Sequence, residues 1–293
     1  MGIQAGLVEK DYWIMHVLYG LKKQSFQFEL KGGTSLSKGF NIIERFSEDI
    51  DIHISPPDNL GVNETSTKQN AINSRKEFYD WLSSNIKIDG IISNKRDTYF
   101  DNERTYFSGG IRLLYDNKTE SVQGLKEGIL LEAGFDNVAP NELITISSWA
   151  YDRAKKSDID ILDNRAIDIA CYHPGYTFVE KLQTITTKFR KEQENPNTGV
   201  NFMRQYYDIY SLLENRKVLD FIGTDEYHRH KEKRFSNADK LIPIQESQAF
   251  ILDDKTTRDS FIKRYKNTEA LYYNGQPEFK LLIERIGEHL QKL

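Results

Sequence analysis

Between Asp49 and Ser55 polar and apolar residues alternate without a break, with Asp49, Asp51, His53 and Ser55 on one side and Ile50, Ile52 and Ile54 on the other. A period of two is the signature of a strand with one buried face. Residues 26–30 predict a strand before it, and residues 34–43 a helix between the two. Helical spacing also fits residues 9–21, with Tyr12, Trp13, His16, Val17 and Gly20 near the apolar side, and residues 71–86. Pro56-Pro57-Asp58-Asn59 closes the alternating strand, and a polar loop follows to about residue 68. Between 88 and 150 the texture changes to short β-rich runs at 90–93, 105–114, 128–135 and 143–149. Gly109-Gly110, Asp116-Asn117 and Asp136-Asn137 supply turns or a bulge. These runs predict a mixed or antiparallel sheet extending the first two strands.

Beyond Pro174 the pattern becomes helical, over 175–190, 202–215, 225–234, 256–272 and 277–293, with a loop at 194–199. The expectation is an α+β chain. Residues 1–172 form a mixed β-sheet flanked by helices, and residues 173–293 a helical C-terminal domain. No internal repeat or low-complexity tract is visible.

With 293 residues, 29% of them charged, the chain can bury a substantial core, and no apolar run approaches a membrane span of ~20 residues. The first residues lack a secretory pattern, so a cytoplasmic protein is expected. The lone Cys171 excludes an intrachain disulfide and, between Ala170 and Tyr172, reads as packed. No Cys/His spacing suits zinc. Forty basic against 44 acidic residues leave a net charge of −4, so any nucleic-acid contact must come from local patches. Lys188, Arg190 and Lys191, and the run from His228 to Arg234, read first as solvated helix faces and make an RNA partner admissible.

The candidate chemistry lies at two places close in sequence. Asp49 and Asp51 on one strand face stand about 6–7 Å apart and repel unless a cation lies between them. Magnesium suits such a pair, because it takes a few carboxylates and completes its shell with substrate phosphates. Lys31-Gly32-Gly33-Thr34-Ser35-Leu36-Ser37-Lys38 lies upstream of them, with fifteen residues between Gly33 and Asp49, and reads as a strand-to-helix turn. Gly32 and Gly33 allow close approach of backbone to a phosphate, Thr34 or Ser35 can donate a hydrogen bond, and Lys38 adds charge. The sequence is not a P-loop. Glu132 interrupts an apolar strand and is a candidate third carboxylate, as general base or metal ligand; an edge-strand glutamate facing water is the alternative. Lys181 and Asp208 interrupt helical patterns and suit either triphosphate binding or an interhelical ion pair. Ser47, two residues before Asp49, is a candidate regulatory phosphosite, or simply a turn serine.

Glu9-Lys10-Asp11-Tyr12-Trp13, the glycine turn, and Arg45-Phe46-Ser47-Glu48-Asp49-Ile50-Asp51 together resemble the AbiEii/AbiGii nucleotidyltransferase toxins. Leu131-Glu132, Glu180-Lys181-Leu182 and Arg204-Gln205-Tyr206-Tyr207-Asp208-Ile209-Tyr210 are similar to that family's later motifs, in the same order. The resemblance runs from residue 9 to about 215. It implies a polymerase-beta-like nucleotidyltransferase fold and the toxin role in a type IV toxin-antitoxin or abortive-infection system, with a cognate antitoxin as partner. By resemblance Gly32, Gly33 and Ser35 bind phosphate, Asp49 and Asp51 bind metal, and Lys181 and Asp208 match the later motifs. Glu132 matches less closely, because the third carboxylate varies in position.

The function implied is Mg²⁺-dependent transfer of NMP from an NTP to an acceptor hydroxyl at a two-metal site. The acceptor implied is RNA, the 3′ end of tRNA among the candidates, and the outcome growth arrest. Two alternatives stay open: an enzyme of this fold that modifies a protein or small molecule, and a catalytically silent nucleotide- or antitoxin-binding protein.

Overall fold

The computed structural model describes residues 2–120, 122, 124–157, 159–195 and 201–293. The chain divides into two compact units, Met1–Gly39 with Phe46–Tyr172, and Phe40–Arg45 with His173–Leu293.

The first unit is built on a mixed seven-stranded sheet. Helix α1 (Ala5–Lys23) leads to β1 (Phe28–Lys31), which passes directly into a helical turn, α2 (Gly32–Thr34), continued by a wider turn over Ser35–Gly39. Then come β2 (Asp49–Ile54), α3 (Gln69–Asn85), β3 (Ile91–Arg96), β4 (Ser108–Tyr115), β5 (Ile129–Gly134), β6 (Asn141–Ile146), α4 (Trp149–Lys156) and β7 (Ala166–Tyr172). The strand order is β3-β4-β5-β2-β1-β7-β6. β2 runs antiparallel to β1 and parallel to β5, which pairs antiparallel with β4 on its other side.

The alternation in β2 is realised: Ile50, Ile52 and Ile54 are fully buried, while Asp49, Asp51 and His53 are only half-buried. β5 lies inside the sheet, and every residue in it except Glu132 is buried, the near-continuous apolar run expected of an interior strand. α1 contributes Leu7, Ile14, Met15, Leu18 and Leu21 to the core, and α3 contributes Phe78, Tyr79 and Leu82.

The second unit is helical: α5 (Pro174–Glu194), α6 (Arg204–Leu212), α7 (Arg216–Phe221), α8 (Asp225–Arg234), α9 (Gln248–Ile251), α10 (Lys255–Lys266) and α11 (Phe279–His289). Pro174 opens α5 where a missing N–H costs nothing, and the His173 ring accepts from Gly175 N–H. Phe178, Leu182, Tyr206, Ile209, Phe250, Phe261 and Leu282 fill its core. Among the described residues no helix is long and apolar enough to cross a membrane.

Several expectations need correction. The helix expected over 34–43 stops at Gly39, because Asn41 takes a left-handed conformation at φ 52° that ends helical propagation. On α1 the deepest face carries Ile14, Met15 and Leu18, whereas Tyr12, Trp13 and His16 are half-buried. The strand expected over 143–149 ends at Ile146, and Ser148 caps α4 by accepting from Tyr151 N–H. Strand β7 had no sequence signal: Asp168 sits at φ 53° and breaks the alternation that would have marked it. The short helices α7 and α9 were also missed, and the helix expected to reach 272 ends at Lys266. Of the loop expected at 194–199, residues 196–199 lie outside the described residues.

Candidate active site

Asp49 and Asp51 share the polar face of β2, and the parallel register sets Glu132 of β5 directly beside Asp51. Adjacent strands lie about 4.8 Å apart, so three carboxylates occupy one small patch of sheet. The alternative of an edge-strand Glu132 is excluded, since β5 has neighbours on both sides. Burial, and then the charges of Asp51 and Asp49, push the Glu132 carboxyl up to about 8, against the opposing pull of Lys31 and Lys126. Lys31 lies opposite Asp51 across the β1–β2 register, and its Nζ stands 3.3 Å from Asp136.

Among the described residues, no three His, Cys, Asp or Glu side chains converge into a finished metal cage. A few carboxylates completed by substrate phosphates is the arrangement magnesium favours.

The glycine turn abuts these carboxylates. Gly32 has φ 69°, and a Cβ built on it would lie 2.1 Å from Asp51 Oδ2, so both backbone angle and space require glycine. Gly33 is buried behind it. Two side chains of this turn are held by the surrounding scaffold. Thr34 donates its hydroxyl to the Asp49 carbonyl at 2.5 Å, tying the turn to β2. Ser35 is fully buried beside Cys171, whose thiol burial pushes up to about 12. Lys38 is held by Asp11 of α1, Nζ to Oδ1 2.7 Å, and lies over the Trp149 ring. Ser47 is half-buried, two residues before β2 begins at Asp49.

Lys181 and Asp208 belong to the second unit. There the fully buried Asp208 receives Arg45 in a two-pronged grip, Nε and the terminal nitrogen each 2.7 Å from a carboxylate oxygen, with Lys181 Nζ at 2.9 Å. Burial alone would raise the Asp208 carboxyl, but Arg45 and Lys181 outweigh it and hold it well below the usual carboxylate range. This is the interhelical ion pair weighed for these residues, extended by an arginine that sequence reasoning left without a role. The available signal was an arginine set among the apolar Ile42, Ile43 and Phe46, a place where a long cation needs a buried partner.

A family model described as nucleotidyl transferase AbiEii toxin, type IV TA system, matches residues 16–285. Among solved structures, an antigenic nucleotidyltransferase-like protein from Paracoccidioides brasiliensis is similar at 11% identity and TM-score 0.40, covering 89% of this chain and 94% of its own. No curated protein matches.

Proposed function

The chain belongs to the AbiEii nucleotidyl transferase toxin family of type IV toxin-antitoxin systems, and on that premise we propose a substrate and a mechanism. It transfers a nucleoside monophosphate from an NTP to a hydroxyl of RNA, the 3′ end of tRNA being the favoured acceptor, and so arrests growth. NTP and RNA as reactants put the reaction in the cytoplasm. The observation that carries the proposal is the placement of Asp49, Asp51 and Glu132 on one face of the sheet, against the glycine turn.

Asp49 and Asp51 hold Mg²⁺. The chemistry supplied by bound Mg²⁺ is neutralisation of the attacking and leaving oxygens of an in-line displacement. Gly32 and Gly33 let the chain close on the triphosphate beside those carboxylates. Glu132, next to Asp51, accepts the proton of the attacking hydroxyl. The hydroxyl oxygen bonds to the α-phosphorus, the bond from that phosphorus to the bridging oxygen breaks, and pyrophosphate leaves with the electron pair.

Purified protein incubated with each labelled NTP, Mg²⁺ and total RNA should label RNA, and folded Asp49→Asn or Asp51→Asn protein should not. Label on protein or on a small molecule would favour the first alternative enzyme. Tight NTP binding without turnover on any acceptor would favour the silent binder.

A further inference from the structure

Helix α1 buries two adjacent charges of opposite sign that do not pair with each other. The Lys10 side chain is 4% exposed and that of Asp11 1%. Burying either charge is costly unless a partner compensates, and buried ion pairs contribute little net stability over apolar packing. What they can do is fix geometry, and here each partner lies on an element of the candidate site.

Lys10 Nζ stands 3.5 Å from Glu48, the residue immediately before Asp49, and donates to the Lys126 carbonyl at 2.6 Å. Lys126 N–H in turn donates to Glu48 at 3.4 Å, so the start of β2 is clamped from two sides. Asp11 holds Lys38 at the end of the glycine turn with one oxygen and accepts Trp149 N–H at 2.7 Å with the other. One turn of one helix therefore grips the segment that presents Asp49 and the segment that closes the phosphate turn.

We propose that Lys10 and Asp11 are positioning residues for nucleotidyl transfer. Lys10 sets Asp49 through Glu48, and Asp11 sets the glycine turn through Lys38. The inference rests on the function proposed above. Neither residue touches the reacting atoms; Lys10 acts through Glu48 and through its charge near Asp49, and Asp11 acts through Lys38.

The test uses the full chain, measuring thermal stability together with kcat and KM for NTP. Lys10→Met leaves Glu48 uncompensated and should lose both stability and turnover. In Lys10→Met/Glu48→Gln no charge is left unpaired, so stability should return, while kcat should stay about tenfold or more below wild type because the clamp is gone. Lys10→Arg should restore most of kcat. Asp11→Asn keeps an acceptor for Trp149 N–H but releases Lys38, and should raise KM for NTP about fivefold, roughly 1 kcal/mol of binding. Lys38→Met should repeat that rise if Asp11→Asn does not fold. A double variant that regains wild-type kcat along with its stability would overturn the role of Lys10, and Glu48→Gln with wild-type kcat would do so if the double variant fails to fold. An unchanged KM in the Asp11 or Lys38 variant would overturn the role of Asp11. A wild-type protein that transfers no label would instead reject the proposed function, and this inference with it.

Discussion

Two groups of buried or half-buried carboxylates in this chain meet opposite fates. In the first unit, Asp49, Asp51 and Glu132 crowd one face of the sheet, and the Glu132 carboxyl is pushed up to about 8 by burial and by its acidic neighbours. In the second, the more deeply buried Asp208 is held well below its usual range, because Arg45 and Lys181 more than offset its burial. Burial by itself does not distinguish a site from a strut. What separates the two groups is the balance of neighbouring charge: Arg45 and Lys181 lower Asp208, whereas Asp51 and Asp49 raise Glu132 against a weaker pull from Lys31 and Lys126.

The strongest way to break that contrast is to neutralise one member of each group. Asp51→Asn should cut NMP transfer by about a thousandfold, the upper end of what losing one preorganised electrostatic contact costs. It should also raise the thermal stability of the metal-free protein, because a repulsion is removed. A fall in both activity and stability would mean the acidic face is structural. Asp208→Asn should do the reverse, leaving Arg45 and Lys181 uncompensated in the interior at a cost of about 3–5 kcal/mol. Denaturant unfolding of the two variants beside wild type measures both signs.

A smaller effect separates the groups by pH. Glu132 keeps its proton to higher pH in the folded chain than in the unfolded one, so its contribution to stability is full in acid and is lost as pH rises from about 4.5 toward about 8. Asp208 has the opposite sign: its folded carboxyl is depressed, so its contribution is present above about 4 and lost as pH falls below that. Metal-free protein should therefore show stability declining between pH 5 and 8, and Glu132→Gln should flatten that decline. Saturating Mg²⁺ should flatten it as well, since a bound cation favours the ionised carboxylates. A decline unchanged in Glu132→Gln would assign it to other groups.

The contrast also explains what could be read from sequence. The strict alternation of Asp49 to Ser55 fixes the direction of both aspartates, and the structure agrees because a strand period leaves no freedom once Ile50, Ile52 and Ile54 are buried. Glu132 was legible as a charge in an apolar run. Its place beside Asp51 was not, because register between strands separated by some eighty residues is set by tertiary pairing. The partners of Thr34 and Lys38 were not legible for a related reason. Residue type shows what a side chain can donate, and only the packed structure shows that the Asp49 carbonyl and Asp11 already receive it. Strand β7 escaped because Asp168 breaks its period, and its pairing with β1 and β6 is long-range information.

The smallest expected effect concerns Ser47, which stands half-buried between the buried Phe46 and the clamped Glu48. A negative charge there lies about 7 Å from the Asp49 carboxylate by strand geometry, and in a solvent-like dielectric the repulsion is roughly 0.6 kcal/mol. Added to an already acidic face, it should oppose a triphosphate more than it opposes a bare cation. Ser47→Asp should therefore weaken binding of a fluorescent NTP in Mg²⁺ by about threefold, with Mg²⁺ affinity alone slightly improved, and Ser47→Ala should change neither. If Ser47→Asp binds the nucleotide as wild type does, phosphorylation at this position is no switch, and the serine is only part of the connection into β2. A loss far beyond threefold would point instead to disruption of the Lys10–Glu48 clamp, which the thermal stability of the same variant would reveal.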